Sequence, residues 1–79
     1  MTQQVFSNAN LINQLTPREN VVLSAAKNNE SVRTIASSLD IPKSIVRRHL
    51  FNIIAKLNTS DEMLAHQLVF SYNIDTRHS

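Results

Sequence analysis

IPKSIVRRHLFNIIAKLNTS, residues Ile41 to Ser60, reads as one long helix, and the fold follows from its two faces. At 3.6 residues per turn, Val46, His49, Leu50, Ile53 and Leu57 fall on one side, and Ser44, Arg47, Arg48, Phe51 and Ala55 on the other. The first side requires a core. The second belongs to a stretch with no acid to set against Lys43, Arg47, Arg48 and Lys56, so it presents a positive ridge suited to a polyanion. Outer charges also serve plain solvation, so the flanking chain has to separate the two readings.

Immediately upstream, Ser31 caps a short helix with Val32, Ile35, Ala36 and Leu39 inward and Arg33, Thr34, Ser37 and Ser38 outward. Asp40 closes it. The link from Leu39 to Lys43 is so short that this helix and the long one meet at a sharp angle, the geometry of a helix-turn-helix, with Pro42 in the turn. Further back, Thr16 is an N-cap, Pro17 takes the first helical position and Glu19 completes a capping box. That helix turns Val22, Leu23 and Ala26 inward and ends near Asn28 or Asn29. Downstream, Thr59 with Glu62 three later reads as a second capping box, opening a last helix to about Tyr72. The chain has no glycine, and Asn29, Asp40 and Asn58 are expected to replace it in the left-handed region at three helix ends.

Seventy-nine residues suffice for one domain with a modest core and not for a deep catalytic cavity. The expected organisation is a loose arm over 1–14, a helical domain over 15–73 and a polar tail over 74–79. The net charge is only +2, and Glu19, Glu30, Asp61, Glu62 and Asp75 all lie outside the long helix, so the basicity is local. The absence of cysteine excludes a disulfide framework, a zinc finger and a thiol nucleophile, and agrees with a reducing cytoplasm. No apolar run approaches the roughly 20 residues that span a bilayer, and MTQQVFSNANLINQ is unlike a signal peptide. A soluble, cytoplasmic protein without membrane contact is expected.

His49, His66 and His78 are the only histidines and have no cysteine beside them, so no metal is expected, and His49 reads as a hydrogen-bonded structural residue. No glycine-rich phosphate loop, nucleophile elbow or carboxylate pair occurs, so neither catalytic residues nor a cofactor are expected. The last helix sets Leu64, Leu68 and Tyr72 on one side, with Ala65 and Val69 beside them, and Met63 and Phe70 on another. More of its circumference is apolar than one small core covers, so it calls for a partner surface, unless Val5, Phe6 or Leu11 of the arm supplies the cover.

LTPRE at Leu15 to Glu19, IASSLDI at Ile35 to Ile41 and IVRRHLFNIIAKL at Ile45 to Leu57 together resemble the DNA-binding domain of the LuxR/GerE family of bacterial transcription regulators. The likeness runs without gaps from Leu15 to about Thr59. It implies an all-α, four-helix helix-turn-helix domain whose third helix, about 43–57, enters the major groove and whose fourth makes a dimer. The family's base-reading positions fall on Arg47, Arg48 and Phe51, and its phosphate contacts on Arg33, Lys43, Ser44 and Ile45, on the outer face already selected. Its dimer helix corresponds here to the stretch bearing Met63, Leu64, Leu68, Phe70 and Tyr72. The family also has histidine at the position of His49, and glycine where Asn29, Asp40 and Asn58 stand.

The departures are local. The family usually has threonine at Ile45, often basic residues at Ser37 and Ser38, a polar or basic residue at Phe51, and a Ser or Thr cap at Pro42. Phe51 is left either to touch a thymine methyl or to pack on the stems of Arg47 and Arg48. The family's receiver or ligand-pocket companions have no room in 79 residues, so no small-molecule ligand is expected. Regulation would come from expression level, from a partner, or from a larger protein of which this is a piece. The resemblance implies a sequence-specific transcriptional regulator that binds double-stranded DNA as a homodimer. The alternative is an interaction module that pairs with a related regulator as a heterodimer and modulates it without strong DNA binding of its own.

Overall fold

A computed structural model describes residues 14–74, in which the chain forms four α-helices and no strand. They are α1 (Pro17–Lys27), α2 (Val32–Leu39), α3 (Lys43–Leu57) and α4 (Glu62–Tyr72). The apolar anchors expected in the arm, Val5, Phe6, Leu11 and Ile12, lie outside the described residues, as does the tail beyond Ile74.

Each helix start is fixed by a local hydrogen bond or by proline. Thr16 sits in extended backbone and its Oγ1 accepts the Glu19 amide at 3.1 Å, while Glu19 Oε1 accepts the Thr16 amide at 3.0 Å, so both halves of the capping box are present. Ser31 Oγ accepts the Thr34 amide at 3.1 Å and opens α2. Pro42 precedes α3 and gives no side-chain cap. Asn29 (φ 62°) and Asp40 (φ 58°) take the left-handed conformation expected of them, and the Ile41 amide closes α2 on the Ala36 carbonyl.

The link between α3 and α4 differs from expectation in two respects. Asn58 is right-handed, at φ −57° and ψ −28°, because the chain keeps turning in the helical sense: the Ser60 and Asp61 amides both donate to the Leu57 carbonyl. No reversal occurs there, so no left-handed residue is required. The third positive φ is at Asn73 (54°), which closes α4. Nor does Thr59 cap α4. Asp61 is the residue that leaves the helical backbone, at φ −148°, and its Oδ1 accepts the Leu64 amide at 3.2 Å.

α3 is the centre of the domain and packs against α1, α2 and α4. Its Val46, Leu50, Ile53 and Leu57 are fully buried among Val22, Leu23 and Ala26 of α1, Ile35 and Ala36 of α2, and Ala65 and Leu68 of α4. Ile54, which the narrow face did not include, is buried as well and widens the apolar stripe. Leu15 joins the core just before α1. The far end of α4 is tied back by Tyr72, whose hydroxyl donates to the Glu30 backbone carbonyl. Burial first, and the Glu30 charge second, push the Tyr72 phenol above its ordinary value. Among the described residues no helix is long and apolar enough to cross a membrane.

Candidate nucleic-acid interface

With one side of α3 committed to the core, the other faces solvent. Lys43, Ser44, Arg47, Arg48 and Phe51 are exposed along it, Phe51 at 39%. Arg33, Lys43, Arg47 and Arg48 have no ion-pair partner among the described residues, so their charges are open to a ligand. The sharp α2–α3 turn brings Arg33 and Lys43 to one shallow recess of about 470 Å³, shared with Ser37 and Asp40. Arg47 lines a second recess of about 440 Å³, between the start of α2 and Ser71, Tyr72 and Asn73 at the end of α4. Lys43 and Arg47, four residues apart on one face of α3, thus each line a different recess.

The first turn of α3 adds backbone donors. The Ile45 and Val46 amides both bond the Pro42 carbonyl, at 3.0 and 3.2 Å, whereas the Lys43 and Ser44 amides have no partner among the described residues. Two free N–H groups at a helix N-terminus favour an anion, and no acidic side chain stands in that turn. Ile45 is half-buried with its amide already bonded, so its side chain offers van der Waals contact alone.

Lys56 does not belong to the positive ridge. It lies two turns from His49 and on the same flank, and its Nζ donates to Glu19 Oε1 at 2.7 Å, which neutralises it against α1. Glu19 is 4% exposed. Burial alone would raise its carboxyl, but the Lys56 hydrogen bond, the Thr16 amide and the charges of Lys56 and His49 outweigh burial and hold it below its ordinary value. The i to i+7 spacing of His49 and Lys56 is the sequence signal that places Lys56 on this flank. His49 is half-buried and makes no hydrogen bond among the described residues, so the hydrogen-bonded role expected of it is not seen there.

On α4, Leu68 is 3% exposed and Leu64 and Tyr72 are half-buried against the core, while Met63 and Phe70 are 77% and 89% exposed. Of the five residues expected at a dimer surface, two are open in the single chain and three back them from inside. A groove of about 470 Å³ between α1 and α2, floored by Val21, Ala25, Ile35 and Leu39, has Glu30 as its one titratable lining residue. Among the described residues no three His, Asp or Glu side chains cluster as metal ligands.

The family model that describes bacterial regulatory proteins of the luxR family matches residues 13–69, from just before α1 into α4. The chain is also similar to an uncharacterized transcriptional regulatory protein, YhcZ, of Bacillus subtilis (strain 168), at 37% identity over 62 residues. That match covers 78% of this chain and 29% of the relative, so the chain spans under a third of that protein's length. No solved structure matches it.

Proposed function

The chain belongs to the luxR family of bacterial regulatory proteins, a family of regulators rather than enzymes, and from that premise we propose that residues 15–73 are a sequence-specific DNA-binding unit working as a dimer in the cytoplasm. One observation carries the reading: the outer side of α3 is exposed, cationic, free of acids and, among the described residues, unpaired. Arg47 and Arg48 enter the major groove, where a guanidinium fork matches the N7 and O6 acceptors of guanine. Phe51, about one turn further along, offers its ring edge to a thymine methyl. Arg33, Lys43 and Ser44 hold phosphates, helped by the two free amides of the first turn, and Ile45 lies against the sugar–phosphate strand.

The second copy meets the first through Met63 and Phe70, with Leu64, Leu68 and Tyr72 fixing that helix from behind. Two such side chains offer on the order of 300 Å² per copy, well under the roughly 800 Å² per partner of a stable interface, so free copies pair weakly and DNA completes the assembly. A symmetric pair sets its recognition helices about 34–36 Å apart, and the site is an inverted repeat.

In this reading Arg47→Ala or Arg48→Ala each costs about 1 to 3 kcal/mol of affinity at a preferred site. A folded double mutant that binds as tightly as wild type contradicts it. A second reading draws on the apolar Ile45 and exposed Phe51, with Asp40 in the Arg33–Lys43 recess: the domain pairs through α4 with a related regulator and modulates it. Pull-down of such a regulator by a chain with no measurable affinity for duplex DNA would favour that reading.

A further inference from the structure

At position 40 the fold uses the backbone and not the side chain. Asp40 holds φ 58° at the end of α2, and the turn is fixed by its own amide on the Ser37 carbonyl, at 3.3 Å, and by the Ile41 amide on the Ala36 carbonyl, at 3.1 Å. Glycine or asparagine would take that φ at least as readily, and neither carries a charge. The Asp40 side chain is exposed and makes no hydrogen bond or ion pair among the described residues. Its carboxylate therefore has no structural task there.

That carboxylate lines the same recess as Arg33 and Lys43. It stands between the end of α2, whose dipole disfavours an anion, and the start of α3, whose dipole draws one toward the Lys43 and Ser44 amides. A phosphate entering the recess meets the same cations and the same amides. Resting on the DNA-binding reading above, we propose that Asp40 is a built-in counter-charge of this phosphate subsite and limits how tightly the domain holds the DNA backbone. It offsets part of the positive field before DNA arrives and repels the phosphate that enters. Because phosphate contacts carry no sequence, the weakening is the same on every duplex, and the base contacts of Arg47 and Arg48 are untouched. Residence on sequences that those two do not fit is shortened accordingly.

The size of the recess sets the size of the effect. At about 470 Å³ it is on the order of 10 Å across, which is the scale of the separation between the carboxylate and a phosphate drawn to Arg33 and Lys43. Two unit charges at that range change an affinity about two- to fourfold, for an effective dielectric between that of water and about half of it. Salt reduces this, because the screening length falls from about 30 Å at 0.01 M to about 8 Å at 0.15 M.

The test is fluorescence anisotropy of two unrelated short DNA duplexes titrated with the full chain at about 0.01 M and about 0.15 M salt. The arms are wild type, Asp40→Asn, Asp40→Gly and Glu62→Gln, each checked for folding by circular dichroism. Asn and Gly both keep the positive φ and remove the charge, while Glu62→Gln makes the same change in net charge at an exposed site on α4, outside the recess. The expected result is that both Asp40 variants bind both duplexes about twofold or more tighter than wild type at low salt, with a smaller gain at high salt and little change in Glu62→Gln. A folded Asp40→Asn that binds no tighter than wild type overturns the proposal. So does a gain with Asn and not with Gly, which marks an amide contact, or a gain that Glu62→Gln matches, which marks net charge alone. Each of these leaves DNA binding standing. If neither wild type nor Asp40→Asn binds duplex DNA at low salt, the DNA-binding reading falls and this proposal with it.

Discussion

Glu19 Oε1 accepts two hydrogen bonds, from the Thr16 amide and from Lys56 Nζ, and so joins the first turn of α1 to the last turn of α3. The local half of this arrangement is legible in the spacing of Thr16 and Glu19. The distant half is not, because nothing local relates residues 37 positions apart, and a lysine near a basic run reads as part of it until its flank is considered. Glu19→Gln keeps an acceptor for the cap and loses the ion pair. With Lys56 a third exposed, the expected cost is about 1 kcal/mol by denaturant unfolding at neutral pH. The folded carboxyl lies below its ordinary 4.5, so the stabilisation is complete above that value and disappears as pH falls through the folded value. Wild type and Glu19→Gln should therefore converge in stability only below about pH 4.5. A constant difference down to strongly acid pH would contradict the role given to this carboxylate.

The helix starts of α1 and α2 were legible because each has a single good cap. The start of α4 was not. Both Thr59 and Asp61 are chemically fit to cap it, and the choice depends on how many helical residues follow Leu57, which the Leu57 carbonyl sets by accepting two amides. Asp61→Ala should cost about 1 kcal/mol in stability, whereas Thr59→Ala should stay within about 0.5 kcal/mol. Equal losses would return the cap to Thr59. The two sides of α4 were likewise visible as two sets, but a helix apolar around most of its girth does not declare which set is inward. Packing resolves it: Leu68→Asp puts a charge in the core and should unfold the domain, while Phe70→Asp should leave thermal stability nearly unchanged. A strong loss of stability in Phe70→Asp would place Phe70 under cover of the chain's own residues.

For the molecule as a whole, α3 has its core side enclosed by α1, α2 and α4, which leaves its cationic side outward, while α4 turns Met63 and Phe70 to solvent. In the proposed assembly a DNA duplex lies on the first surface and a second copy on the other. The outer side of α3 was legible because helical period and charge agree there. The meeting of Arg33 and Lys43 at one recess followed from the short turn, but Asp40 in that recess and the two amides unbonded among the described residues depend on how α2 and α3 pack and are not legible in the sequence. If the outer side of α3 holds a polyanion, affinity for random duplex DNA at two salt concentrations reads it. Binding should weaken as salt rises, with a log–log slope of about −2 or steeper per copy, flattened by about one unit in Arg33→Ala or Lys43→Ala. A folded chain that does not bind duplex DNA at low salt, or binds it with no salt dependence, would rule out that role for α3.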